Sequence, residues 1–300
     1  NISPSIYFFG FNMLDPVVGG KSDRARKLRQ AISIALNYEE YISIFLNGRG
    51  LVAQGPIPPG IYGHREGKGY NHYTHQRVNG FVQRRPLSQA RELMTAAGYL
   101  GGLNRKTGKR LQLNYDVAGG AGPDQKAQLA WMREKFSMIG VDLNIHSSQY
   151  NRFQQKVRLG NTQMFSWGWL ADYPDPENFL FLLYGPNGKV KAGGENSVNY
   201  NNPKFNTLFE QMRHLPNGPK RLAVIKQMVE IAQADAPWVW GIHPKDIILT
   251  HQWQKPVKPS GMANNLLKYQ FINHQHRVGL QQKWNRPFLW PLLLIFAGLL

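Results

Sequence analysis

No cysteine occurs in the 300 residues, which excludes a disulfide framework, thiolate zinc sites, iron–sulfur clusters and a cysteine nucleophile, while leaving the redox compartment open. Acids are scarce: 18 Asp and Glu stand against 36 Lys and Arg, a net charge of +18 that would favour polyanions or an anionic bilayer surface. None follows Asp246, although Lys255, Lys258, Lys268, Arg277, Lys283 and Arg286 do. Internal repeats are absent, and 30 Gly and 19 Pro fall without a period, which excludes collagen-like and low-complexity chains. Long apolar runs are missing until Pro287–Leu300, where PFLWPLLLIFAGLL carries no charge yet falls short of the roughly 20 residues that a bilayer span needs. What remains is globular, with 42% hydrophobic and 12% aromatic residues able to bury a substantial core.

The chain opens at Asn1 with no charged-then-apolar signal segment and runs directly into strand-like SIYFFGFNML. Both ends therefore look cut, and the expectation is a fragment with further chain upstream and an apolar segment that continues downstream.

Helical and strand periods alternate along it. Ala25, Leu28, Ile32 and Ala35 recur at helical spacing between Arg24 and Leu36, after Ser22 and Asp23 as caps. The connection GPIPPGIYG (Gly55 to Gly63) and a polar loop rich in His and Tyr lead to a short helix from Ser88 that Gly98 stops. LQLNYDV then alternates as a strand; Leu129, Met132, Phe136 and Ile139 mark a helix ended by Gly140, and Val141, Leu143 and Ile145 another strand. Tyr150 to Arg158, Phe205 to Met212 and Leu222 to Ala232 read as helices, and MFSWGW, WVWGI and IILT as strands. Strands separated by helices predict an α/β lobe with helices on both faces of a sheet.

In FSWGWLADYPDPENFLF, an aromatic strand runs into Asp172 and two prolines, so it must end near Tyr173 with Asp172 at its carboxyl edge, where α/β sheets place ligands. Together with FGFNMLDP, RARKLRQAISIALNYEEYISIFLNGRG, GPIPPGIYG, LSQARELMTAAGY, GKRLQLNYDV, GGENSVNYNNPKFNTLFEQM and DAPWVWGIHP, this block resembles the extracytoplasmic solute-binding proteins of the oligopeptide- and dipeptide-binding family, the receptors of peptide ABC importers. The likeness covers residues 6 to about 272.

The resemblance implies the C-terminal α/β lobe of a bilobal (type II) periplasmic binding protein, followed by the start of a transmembrane helix. Residues 1–255 would be the lobe with a hinge strand at its start, 256–275 a return segment toward the other lobe, and 276–300 a basic linker and truncated membrane segment anchoring the protein on the periplasmic side of the inner membrane. The implied function is to bind a peptide ligand and deliver it to the permease and ATPase subunits of an importer, without catalysis or cofactor. Asp172, which follows Trp169, Leu170 and Ala171, would pair with the ligand's α-ammonium group; Gly168 and Leu170 would offer backbone to the peptide, and Trp167 and Trp169 would wall roomy side-chain pockets. The same fold also serves nickel complexes, haem, sugars and opines, so a non-peptide solute or a sensor role is the alternative.

Other features read more plainly. Trp167 and Trp169 share a strand face and could be core. Asp172, Asp175 and Glu177 sit on one turn, whereas glycosidase carboxylates must face each other across a cleft. His72 and His75, like His274 and His276, read as solvated loop histidines. Arg24, Arg26, Lys27 and Arg29 read as an exposed helix face, and no nucleic-acid partner is expected. Asn37 and Asn206 stand where the family usually has Asp, at cap or structural positions.

Overall fold

The strand-like SIYFFGF becomes β1 (Ser5–Phe11), a central strand of a six-stranded sheet, buried at every residue but Tyr7. The computed structural model describes residues 2–65, 67, 69–119, 122–255, 267–287, 290, 294, 295 and 297. The other strands are β2 (Gly50–Val52), β3 (Gln112–Ala118), β4 (Asp142–Ser148), β5 (Met164–Leu170) and β6 (Trp238–Pro244), in the order β2-β6-β1-β5-β3-β4. β3 lies parallel to β4 and β5, as the strand–helix rhythm requires, whereas β1 is antiparallel to β5 and β6.

Helices α1 (Asp23–Ala35), α2 (Tyr38–Leu46), α3 (Leu87–Ala96), α4 (Pro123–Ser137), α5 (Tyr150–Leu159), α6 (Pro203–Arg213) and α7 (Pro219–Asp235) cover the sheet. Ser22 caps α1, its hydroxyl accepting from the Ala25 N–H, and Asn37 caps α2 by accepting from the Glu40 N–H. One core joins Phe9, Phe11, Leu113 and Tyr115 to residues of α1, α3 and α4; the other joins Ile6, Phe8, Phe165, Trp238 and Trp240 to α5, α6 and α7. Each large apolar side chain so buried contributes about 1.5–3 kcal/mol. Helices on both faces are thus confirmed.

Alternation is broken once. Tyr7 pairs with Ile242 but Phe8 with Trp240, so Gly241 is an extra residue that moves Ile242 to the first core while Trp238 and Trp240 stay in the second. Glycine is required there, because a Cβ would lie 2.3 Å from the Tyr7 carbonyl oxygen.

Several segments depart from what their sequence implies. Arg29 is not part of an exposed face: it is 1% exposed and donates to the carbonyls of Val18, Gly20, Asp235 and Ala236, so it ties α1 to the end of α7. Burial lowers its pKa to about 10, which leaves it charged at neutral pH. His72 is exposed, but His75 is buried at the start of a hairpin (75–78 with 81–84) closed by Asn79 and Gly80, both at positive φ. Its Nε2 lies 2.7 Å from Glu39, which also accepts from Arg84. Burial pushes the Glu39 carboxyl up, but the bond to His75 and the Arg84 charge outweigh it and hold the pKa at about 2. The helix expected from Ser88, α3, starts one residue earlier, at Leu87 behind Pro86. IILT forms no strand: Ile247, Ile248 and Leu249 are exposed, and no β-partner for them is found among the described residues. The carboxamide of Asn206 accepts from the Gly185 N–H and donates to Asn201, a structural role as expected.

Residues Ile2–Asp246 form one unit, and Ile247–Leu300 with Asn1 another. In the second, Gln254–Lys255 pairs with Phe271–Ile272, and α8 (His274–Trp284) starts from an Asn273 cap. Trp253 stacks on His251 at 4.0 Å and meets Trp284 at 5.3 Å. Among the described residues no helix is long and apolar enough to cross a membrane. The expected membrane segment, Pro287–Leu300, lies mostly outside the described residues.

Candidate functional site

β5 combines a paired edge with an open one. The Ala171 N–H donates to the Pro4 carbonyl at 2.9 Å, so odd-numbered residues of β5 turn their backbone groups toward β1, and Ser166, Gly168 and Leu170 turn theirs away. On that far side β3 pairs only with Met164 and Phe165. The N–H and C=O groups of Gly168 and Leu170 therefore face a cleft of about 960 Å³ at the carboxyl ends of β3, β5 and β6.

Four of the five expected site residues, Trp167, Gly168, Trp169 and Leu170, line this cleft, and Asp172 does not. Pro174 and Pro176 cannot continue a ladder, and the strand ends at Leu170, leaving Asp172 exposed just beyond it. Asn178, only 2% exposed, organises this rim: its Oδ1 accepts from Trp169 Nε1 at 3.1 Å and from the Asp172 N–H at 2.8 Å, while its Nδ2 donates to Asp172 Oδ2. Trp167 and Trp169 are half-buried against the second core, so each serves as both packing and wall.

The neighbouring acids are engaged elsewhere. Asp175 receives two 2.7 Å bonds from Arg221, and Glu177 lies 3.3 Å from Arg213. Burial pushes the Asp175 carboxyl up, but the Arg221 guanidinium and the Glu177 N–H more than offset this and leave it below its ordinary value. This turn does not supply a facing pair of carboxylates.

A further set of residues escaped the sequence reading: Tyr7, Tyr38, Tyr41, Tyr115 and Trp131 also line the cleft. Spread over more than a hundred positions, they carry no local motif. Tyr7 is 55% exposed and its ring crosses Gly168, where an added Cβ would fall 2.8 Å away, so the glycine is the one local clue. The Tyr115 hydroxyl bonds to Ser166 Oγ at 2.8 Å; burial raises its pKa to about 12 against the pull of that bond. Burial likewise pushes Tyr38 and Tyr41 up, so all three phenols stay neutral at physiological pH. The cleft thus offers a strand edge, aromatic walls and a carboxylate at its rim, which suits binding an extended solute with apolar groups and a cation.

The family model of bacterial extracellular solute-binding proteins, family 5 middle, matches residues 2–191. Heme-binding protein A of Haemophilus influenzae is 26% identical over 215 residues, covering 71% of this chain and 35% of that protein. Di/tripeptide-binding protein 2 of Pseudomonas aeruginosa is 25% identical, covering 73% of this chain and 37% of that one. Among solved structures, the oligopeptide-binding protein AppA from Bacillus subtilis, in complex with a nonapeptide, superposes with a TM-score of 0.68 at 16% identity over 91% of this chain and 51% of its own. The chain spans about a third of the length of the curated relatives it matches.

Proposed function

This chain belongs to the bacterial extracellular solute-binding proteins of family 5, and from that premise we propose that it forms one lobe of a receptor that captures peptides for an ABC importer. Its relatives are solute-binding proteins and not enzymes, and the family is extracytoplasmic. In this reading residues 1–255 make the lobe, 256–275 lead toward a second lobe, and 276–300 begin a membrane tether on the periplasmic side. Permease and ATPase subunits would receive the solute.

The observation that carries the reading is the far edge of β5 beyond Phe165, for which no strand partner is found among the described residues, with the Gly168 and Leu170 backbone groups facing the cleft and Asp172 two residues further on. An extended peptide that pairs there gains main-chain bonds indifferent to its sequence. Asp172 would meet its α-ammonium group, and Trp167 and Trp169 would flank its side chains. Calorimetry on the intact protein with a peptide mixture, then on Asp172→Ala, tests this. Affinity should fall by about 2 kcal/mol or more on losing a charged partner. Unchanged affinity would remove Asp172 from the site.

A second reading has support of its own: Asp172 stands outside the cleft lining, which is rich in aromatics. A planar or metal-bearing solute without an ammonium group would suit such walls. Binding of haem, and not of peptides, in the same calorimeter would favour it.

A further inference from the structure

The cleft straddles the end of the sheet, and its two sides continue different cores. Tyr38, Tyr115, Trp131 and Met132 belong to the core under α1, α3 and α4, with Tyr41 and Val117 packed against it. Phe8 and Phe153 belong to the opposite core, with Trp167 and Trp169 packed against it. Between the two sides runs the open edge of β5. The tyrosine side is built firmly. The Trp131 Nε1–H donates to Glu40, which also holds Lys135 at 2.7 Å, and the Trp131 ring meets Tyr41 edge-on at 5.3 Å. Tyr115 is pinned through Ser166, and Tyr7 lies across Gly168.

Successive side chains of a strand point to opposite faces. A peptide paired with Gly168 and Leu170 must therefore send every second side chain toward the tyrosine wall and the alternate ones toward the tryptophan wall. We infer that the Tyr7, Tyr41, Tyr115 and Trp131 wall is a second specificity pocket of this receptor, which selects an aromatic or large apolar side chain at every other ligand position. This rests on the proposed strand pairing. A wall already fixed by packing and hydrogen bonds loses little freedom on binding, so ring contacts there are expressed as affinity.

The test uses four tetrapeptides in which one Phe moves along an alanine background, titrated into the intact protein. Affinity should alternate with Phe position. Tyr7→Ala should lower binding about tenfold for one parity and leave the other near its parent value, and Trp167→Ala should do the reverse. Tyr7 is more than half exposed, so its truncation spares the core, and Tyr41→Leu supplies a second, independent test of the same wall. Binding that ignores Phe position, or a Tyr7→Ala loss equal at all four, overturns the pocket while the peptide reading stands. Failure of all four peptides to bind overturns both.

Discussion

Asp172 and Asp175 stand three residues apart on one turn and do opposite work. Asp175 clamps Arg221, whose side chain is 8% exposed, through two parallel bonds, while Asp172 stands in solvent with its carboxylate accepting from Asn178 Nδ2. Residue type does not separate a carboxylate locked in an ion pair from one left facing solvent. The burial of the partner does: removing Asp175 strands a buried guanidinium, whereas removing Asp172 takes away only the acceptor of the neutral Asn178 amide at a part-buried rim.

Asp175→Asn is therefore the largest expected effect, about 3 kcal/mol or more of stability in urea unfolding, because an unpaired buried charge is left behind. Asp172→Ala should cost about 1 kcal/mol, the loss of one neutral hydrogen-bond donor's acceptor at Asn178. Equal losses at the two positions would dissolve the contrast.

Acid separates a second pair. His243 is buried in β6; its Nδ1–H donates to the Ser5 carbonyl, and its Nε2 has no partner among the described residues. Burial lowers its pKa to about 4, with the His64 ring 6.2 Å away acting in the same direction against the pull of the Ser5 bond. The unfolded chain, with a pKa near 6.5, then binds the extra proton first, so stability falls with pH between about 6.5 and 4, by up to roughly 3 kcal/mol. Asp175 acts lower: its depressed carboxyl contributes stability above the unfolded value near 3.9, which is lost only as pH drops through the folded one. Urea titrations of His243→Leu at pH 7 and 4.5 should show a flatter slope than the parent, and Asp175→Asn should keep the parent slope in that window. A parent stability that does not change between those pH values would place His243 in solvent.

The same dependence on partners explains what could be read from the chain. Helices whose apolar period repeats, such as Ala25, Leu28 and Ile32, and strands whose alternation is local, such as Leu111 to Val117, were legible because neighbours in sequence decide them. Arg29 was misread because the carbonyls that bury it belong to residues 18, 20, 235 and 236, and His75 because Glu39 lies 36 positions away. The bulge at Gly241 depends on a register with Tyr7 across more than 200 residues. Of the residues that line the cleft, Trp167 and Trp169 sit in one contiguous block that stands out in the sequence. The tyrosine wall comes from β1, α2, β3 and α4 and exists only once the sheet has closed.

Asn37 and Asn206 carry the comparison to its smallest scale. At both, Oδ1 accepts a backbone N–H, from Glu40 at 3.0 Å and from Gly185 at 2.9 Å, so a carboxylate would preserve that bond. At Asn37 the new charge would meet a favourable helix N-terminus but also Glu39 and Glu40 in the first turn, and Asn37→Asp should leave stability within about 0.5 kcal/mol. Asn206 differs because its Nδ2 donates to Asn201 Oδ1 at 2.8 Å, and Asn206→Asp turns that donor into an acceptor facing an acceptor. The cost should be about 1 kcal/mol. It vanishes only if Asn201 turns its amide over to donate instead, so adding Asn201→Ala to Asn206→Asp discriminates: a loss that appears only in the double variant shows that the amide turned, and a loss already present in the single one shows that it did not.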